Sequence, residues 1–226
     1  AVLNIIPHVR RVAAFEKVVD EMAQLKPDAF IMADPGLIDI VRNRYPDIPI
    51  HLSVQANTVN AGSVKFWQKV GLTRCILARE LSLTEIDMIK QECPDMEIEV
   101  FAHGALCIAV SGRCLISGLL SHRDANIGAC NNSCRYGFNI RNVHAATADD
   151  VTTFEADDGT TLSAQIEESM HHPGEWMTME EDLNGSYLMN SKDLCTLPVL
   201  KKLIEIGVDS LKIEGRSRSP FYSAAI

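Results

Sequence analysis

Short β-branched apolar runs alternate with helical patterns over the first hundred residues, and few folds accept that order. VLNII (2–6) precedes RVAAFEKVVDEMAQLK, AFIMAD (29–34) precedes GLIDIVRNRY, and IHLSVQ (50–55) precedes NAGSVKFWQKV. RCILARE (74–80), the helical LSLTEIDMIKQE and EIEVFAHG (97–104) continue the series. Strands joined by single helices lie parallel, because a parallel neighbour is reached only by a crossover. The periodicity therefore predicts an α/β fold, either a parallel sheet or a barrel. After Cys134 it fails until about Asn190, where NSKDLCTLPVLKKLIEIG predicts a helix closed by Gly207, followed by the strand SLKIEG (210–215). Residues 105–189 thus read as an insertion between a strand and its helix, which in a barrel lies at the C-terminal mouth of the strands. Six strands are counted, and an eight-stranded barrel needs two more units. The chain starts inside a strand without a methionine and stops in SPFYSAAI, where a helix should begin, so a fragment of a longer protein is expected. A six-stranded open sheet is the competing architecture, and periodicity does not choose between them.

With 226 residues, 46% of them hydrophobic, the chain can bury a substantial core. No run of eighteen apolar residues and no signal-peptide pattern is present, so a cytoplasmic protein without a membrane partner is expected. The net charge of −9 hides an asymmetry. Asn142 to Asp182 holds eleven Asp or Glu and no Lys or Arg, so the remainder (−9 minus −11) carries +2. Cys107 to Asn142 has Arg113, Arg123, Arg135 and Arg141 against a single acid, Asp124. An anionic ligand near that stretch is electrostatically allowed.

In a barrel, polar residues at the C-terminal strand ends face one mouth. Those ends carry Asn4, Asp34, Gln55 with Asn57, Arg79 with Glu80, His103, and Glu214 with Arg216. Each can equally cap the helix that follows. Together they favour a small polar ligand. Neither a Ser/His/Asp arrangement nor an HExxH helix can be picked out.

Four of the seven cysteines fall within the thirty-one residues from Gly104 to Cys134. Cys107, Cys114, Cys130 and Cys134 are separated by six, fifteen and three residues, and clustered thiolates in a chain of this size point to a metal or redox site. Zinc ribbons use two tight pairs, and only the second pair fits; the wider first spacing and its apolar surroundings suit a cluster held in a folded loop, and a 4Fe-4S cluster, zinc and unligated thiols are the three readings. Cys75 and Cys93 read as packing residues, and Cys195 as a substitute fourth ligand.

EVFAHGALCIAVSGRCLIS resembles the signature of the U-32 family, the collagenase-like peptidases. The likeness continues through IMADPGLI, HLSVQAN, RDANIGACNNSCR, PGEWM, YLMNSKDL and SLKIEGRSRSPFY, and is least in the acidic segment from about 143 to 170. CNNSCR and YLMNSKDL are most similar to the branch that hydroxylates the tRNA wobble uridine to 5-hydroxyuridine with prephenate. Other branches hydroxylate the ubiquinone ring or act on ribosomal RNA.

The resemblance implies a (β/α)8 TIM-like barrel with its first two strands upstream of Ala1. Residues 1–104 would hold strands three to seven, 105–189 the Cys-rich insertion after the seventh, and 190–226 the last helix and strand. It implies a 4Fe-4S cluster on Cys107, Cys114, Cys130 and Cys134, although the ubiquinone branch draws its fourth ligand from later in the chain. The implied partners are tRNA, a small carboxylate co-substrate and an electron donor. On chemical grounds His103 and Glu214 are candidate proton-transfer groups, with Arg216 beside them. Arg113, Arg135 and Arg216 could pair with prephenate carboxylates or RNA phosphate. Asn4, Asp34 and Gln55 are candidate substrate contacts, and Tyr136, Phe138, Trp176 and Phe221 are the aromatics available to stack a base. A U-32 peptidase and a non-catalytic RNA-binding module are the rival readings.

Overall fold

The computed structural model describes residues 1–107, 109–110, 114–123, 125, 128–142, 162–169, 173–181, 193–215 and 219–226. They fall into two compact units, 1–131 with 192–226, and 132–191.

In the larger unit the alternation becomes β1 (Phe30–Met32), α2 (Pro35–Arg44), β2 (Ile50–Leu52), α3 (Ala61–Val70), β3 (Arg74–Ile76), α4 (Leu83–Glu92) and β4 (Glu97–Ala105), with α1 (Val12–Gln24) ahead of β1. Neighbouring strands pair in parallel and in chain order, and β9 (Ser210–Glu214) joins the far edge of β4, also in parallel. A doubly wound sheet requires a point where strand order reverses, and these five parallel strands have none.

Helix starts follow the local chemistry. Asp34 accepts from the Leu37 N–H ahead of Pro35, Asn60 caps α3, and Ser82 with Glu85 forms a capping box on α4. Alternate strand residues divide the sheet into two faces. Phe30, Met32, Ile50, Leu52, Cys75, Ile98 and Val100 join the core formed with Phe15, Val19, Leu37, Ile38, Val41, Val64, Ile86 and Ile89 of the helices. The intervening strand residues form the second face.

Two expected elements differ. The expected strand at 2–6 is reduced to one parallel bridge, Val2 to Ile31. The helix expected from about Asn190 is shorter, because Asp193–Cys195 is a strand, β8, antiparallel to the end of β4. Pro198 belongs to a 3-10 turn, Leu197–Val199, and α6 runs only from Leu200 to Ile206, closed by Gly207 at φ 85°. A proline is tolerated in the first turn of a helix and not within it, so the periodic pattern could not extend back through Pro198. α5 (Ile116–Ser121) and α7 (Pro220–Ala225) are single short turns.

The smaller unit is a three-stranded antiparallel sheet, β5 (Phe138–Asn142), β6 (Leu162–Glu168) and β7 (Trp176–Glu181), with β6 central. It lies where sequence periodicity fails.

Candidate functional site at the strand ends

The second face of the parallel sheet has two layers. Near the N-terminal ends of the strands, Glu99 is 8% exposed and bonded to Arg74 (3.1 Å), Lys212 (3.1 Å) and Ser210 (3.0 Å), while Arg74 also pairs with Glu97 at 2.7 Å. Burial alone would raise the Glu99 pKa, but Lys212, Ser210 and Arg74 outweigh it and hold the carboxyl below its ordinary value. Neighbouring His51, desolvated and facing Arg74, is held below the usual imidazole range.

Toward the C-terminal ends the face becomes apolar, with Val54, Ile76 and Phe101 packed together and Ile31 and Leu194 against them. Into this layer Arg79 sends a side chain only 6% exposed. Its guanidinium lies 3.6 Å from the centroid of the Phe101 ring and pairs with Glu214, the last residue of β9. Lys212 Nζ is 5.7 Å from the same centroid. Stacking on an aromatic face fixes the plane of an arginine, so its paired N–H groups point in a defined direction.

Gly104 lets β4 and β9 meet closely here. It registers with Glu214, adopts φ +131°, and a Cβ on it would stand 2.5 Å from the Glu214 carbonyl oxygen. Just before it the register slips, since Phe101 aligns with Lys212 but His103 with Ile213. The bulge reverses the alternation, so His103 shares the side of Ile213 rather than that of Lys212 and Glu214. His103 Nδ1 lies 2.8 Å from the Tyr222 hydroxyl of α7, and its register partner on β8 is Cys195.

The other expected contacts have varied surroundings. Asn4 donates to Ser53 Oγ at 3.1 Å, which also accepts from the Gln55 N–H, tying the first segment to the turn after β2. Asp34 is occupied as the N-cap of α2. Gln55 lies in a 3-10 turn, Val54–Ala56, closed by Asn57 at φ 52°. Gln55 Oε1, Asn57 Oδ1 and Thr58 Oγ1 are buried and have no hydrogen-bond partner among the described residues. Arg135 sits half-buried in a 3-10 turn, Ser133–Arg135, of the smaller unit, and Arg113 and Arg216 lie outside the described residues. The sequence reading missed Phe101 and Thr58, which carry no sequence signal beyond apolarity and a place after a strand.

Cys107 is exposed, Cys114 and Cys130 are half-buried, and Cys134 is buried in the smaller unit. Their thiols have the donor chemistry for iron or zinc. Among the described residues, however, no three His, Cys, Asp or Glu side chains stand close enough together to hold a metal ion. Cys75 is buried in the sheet, and burial pushes its thiol up to about 12, which keeps it protonated as a packing group.

A parallel α/β unit with strands in chain order and a stacked arginine, a carboxylate and orphaned polar oxygens beyond its strand ends has the plan of a small-ligand site on a barrel-type scaffold. The chain belongs to peptidase family U32, whose profile matches residues 1–226. It is 49% identical to "tRNA hydroxylation protein P" of Escherichia coli (strain K12), over 99% of this chain and 52% of that protein. The protein of the same name from Haemophilus influenzae is 45% identical over 99% of this chain and 52% of its own length. A more distant relative, "Collagenase" of Porphyromonas gingivalis, is 29% identical over 97% of this chain and 47% of that protein. The chain spans about half the length of these relatives. Among the described residues no helix is long and apolar enough to cross a membrane.

Proposed function

We propose that this chain is the strand-end site region of an enzyme that hydroxylates tRNA, converting the wobble uridine to 5-hydroxyuridine with prephenate as co-substrate. The observation that carries the reading is the 49% identity to a tRNA hydroxylation protein along 99% of the chain. The parallel sheet is, on this reading, one side of a (β/α)8 barrel, consistent with strands that follow chain order without reversal.

Hydroxylation at a ring carbon releases a proton, and Glu214 is the candidate to accept it. His103 would act only from the Tyr222 side of β4. We also propose that Cys107, Cys114, Cys130 and Cys134 take up a 4Fe-4S cluster, with zinc as the second choice. The ligand loop would then have to fold around the metal, as sites that are not preformed do. Such a cluster would supply electron transfer.

The test is mass spectrometry of tRNA nucleosides from cells lacking the full-length protein. Loss of 5-hydroxyuridine derivatives is expected, and an unchanged profile removes the reading. Anaerobic reconstitution of the full-length protein should give a brown protein with broad sulfur-to-iron absorption. Hydrolysis of peptides by that same preparation would instead favour the peptidase reading.

A further inference from the structure

We propose that Arg79 is the binding site for the carboxylate of a small amphipathic hydroxy acid, and that Glu214 occupies it as an internal carboxylate until that ligand displaces it. The inference rests on reading this strand-end face as the substrate site.

Three observations support it. Arg79 is a built site, since its side chain is almost wholly buried and its plane is set by Phe101 at 3.6 Å. A guanidinium fork held this way suits a carboxylate, and a carboxylate already sits on it. The two partners differ in access, with Glu214 29% exposed against 6% for Arg79, so the acid is the half that can leave. Replacing one carboxylate by another never strands a buried cation, which is what makes simple opening of such a pair costly.

The surroundings narrow the ligand. Val54, Ile76, Ile31 and Leu194 make the Phe101 layer apolar, which suits a ring or short hydrocarbon body. Gln55 Oε1, Asn57 Oδ1 and Thr58 Oγ1 are buried acceptors with no donor among the described residues, and Thr58 is 1% exposed. The Thr58 carbonyl accepts from the Ala78 N–H at 3.2 Å, so this turn is fastened to the residue preceding Arg79. A ligand hydroxyl is the donor that those oxygens lack. Inorganic phosphate has the charge but not the apolar body.

Calorimetry on the full-length protein tests this with 3-phenyllactate, its methyl ester and inorganic phosphate. The acid should bind, its ester at least about tenfold more weakly, roughly the worth of one charge-assisted pair, and phosphate at least about tenfold more weakly because the apolar body is missing. Arg79→Lys should weaken the acid roughly tenfold, because an ammonium lacks the fork. Glu214→Gln should bind the acid several-fold more tightly, because the competing charge is gone. A pair that merely holds β9 in place predicts no gain.

Equal binding of acid and ester, no binding of the acid to the wild-type protein, or no gain in Glu214→Gln overturns the proposal. If Glu214→Gln fails to fold, Glu214→Asp, with its shorter reach to Arg79, must show the gain instead. The nucleoside measurement fails separately. Binding of the acid with unchanged tRNA nucleosides overturns the hydroxylase reading alone, whereas lost nucleosides without acid binding overturn the site alone.

Discussion

Glu99 shows how much a single side chain holds in the lower layer of the sheet. It is buried, yet joins Arg74 of β3 to Lys212 and Ser210 of β9 across β4. Glu99→Gln keeps the shape but leaves two cations without their shared anion, and breaking a mostly buried pair costs about 3 kcal/mol. Denaturant unfolding at neutral pH should show that loss. The same residue gives the stability a direction with pH. Its folded pKa lies below the ordinary 4.5, so its contribution is complete above that value and is lost as pH falls through the folded one. His51 acts in the same direction, because its folded pKa lies below 6.5 and acid must charge a desolvated ring. The stability gap between wild type and Glu99→Gln should therefore narrow below about pH 4.5. A gap that stays constant to pH 3 would show that folding does not shift the Glu99 pKa.

At the scale of elements, β4 does the most. Its first residues pair with β3, its middle and end with β9, and its last three also with β8 on the edge that β3 has left. Gly104 stands where β8 and β9 both reach it, and any side chain there meets Glu214 backbone. Gly104→Ala should cost about 2 kcal/mol or more from the positive φ and the clash. Because the clash pushes on the residue that holds Arg79, binding of 3-phenyllactate should change along with the melting temperature. A variant that melts like the wild type would mean the strands are not packed this closely. The parallel order of β1 to β4 was legible from the β/α alternation, and the cap at Asp34 and the stop at Gly207 were legible because each depends on residues within one helix or turn. The Arg79–Glu214 pair spans 135 positions, and no local pattern announces it. The β4 bulge was equally hidden, since alternation in EVFAHG places His103 on the Phe101 side until one extra residue reverses it. β8 was masked by the helical spacing of LPVLKKLIEI, and only Pro198 marks the break.

For the whole molecule the question is how an acidic chain would bind an anionic partner. The net charge of −9 is a poor guide, because Asn142 to Asp182 alone supplies −11. Cation count is a poor guide too, since Arg44, Lys65, Arg74, Arg79, Lys90 and Lys212 are each paired with an acid inside the larger unit. Cations so paired release few counterions when RNA arrives, and counterion release is what makes RNA binding salt-dependent. The stretch from Cys107 to Asn142, with four arginines against one acid, is a local excess of cationic charge in the sequence. Arg123 there is exposed and uses its Nε on the Ala129 carbonyl at 2.9 Å. On the proposed function, log affinity of the full-length protein for tRNA should fall linearly with log salt. Arg113→Gln and Arg123→Gln should each flatten the slope by about 0.7 to 0.9, the amount expected for one phosphate contact. Lys65→Gln removes a cation of the same charge from its pair with Glu92 and should leave the slope unchanged. Fluorescence anisotropy of labelled tRNA over a range of potassium chloride concentrations measures all three. If the two arginine variants keep the wild-type slope, Arg113 and Arg123 make no phosphate contact and tRNA is held elsewhere.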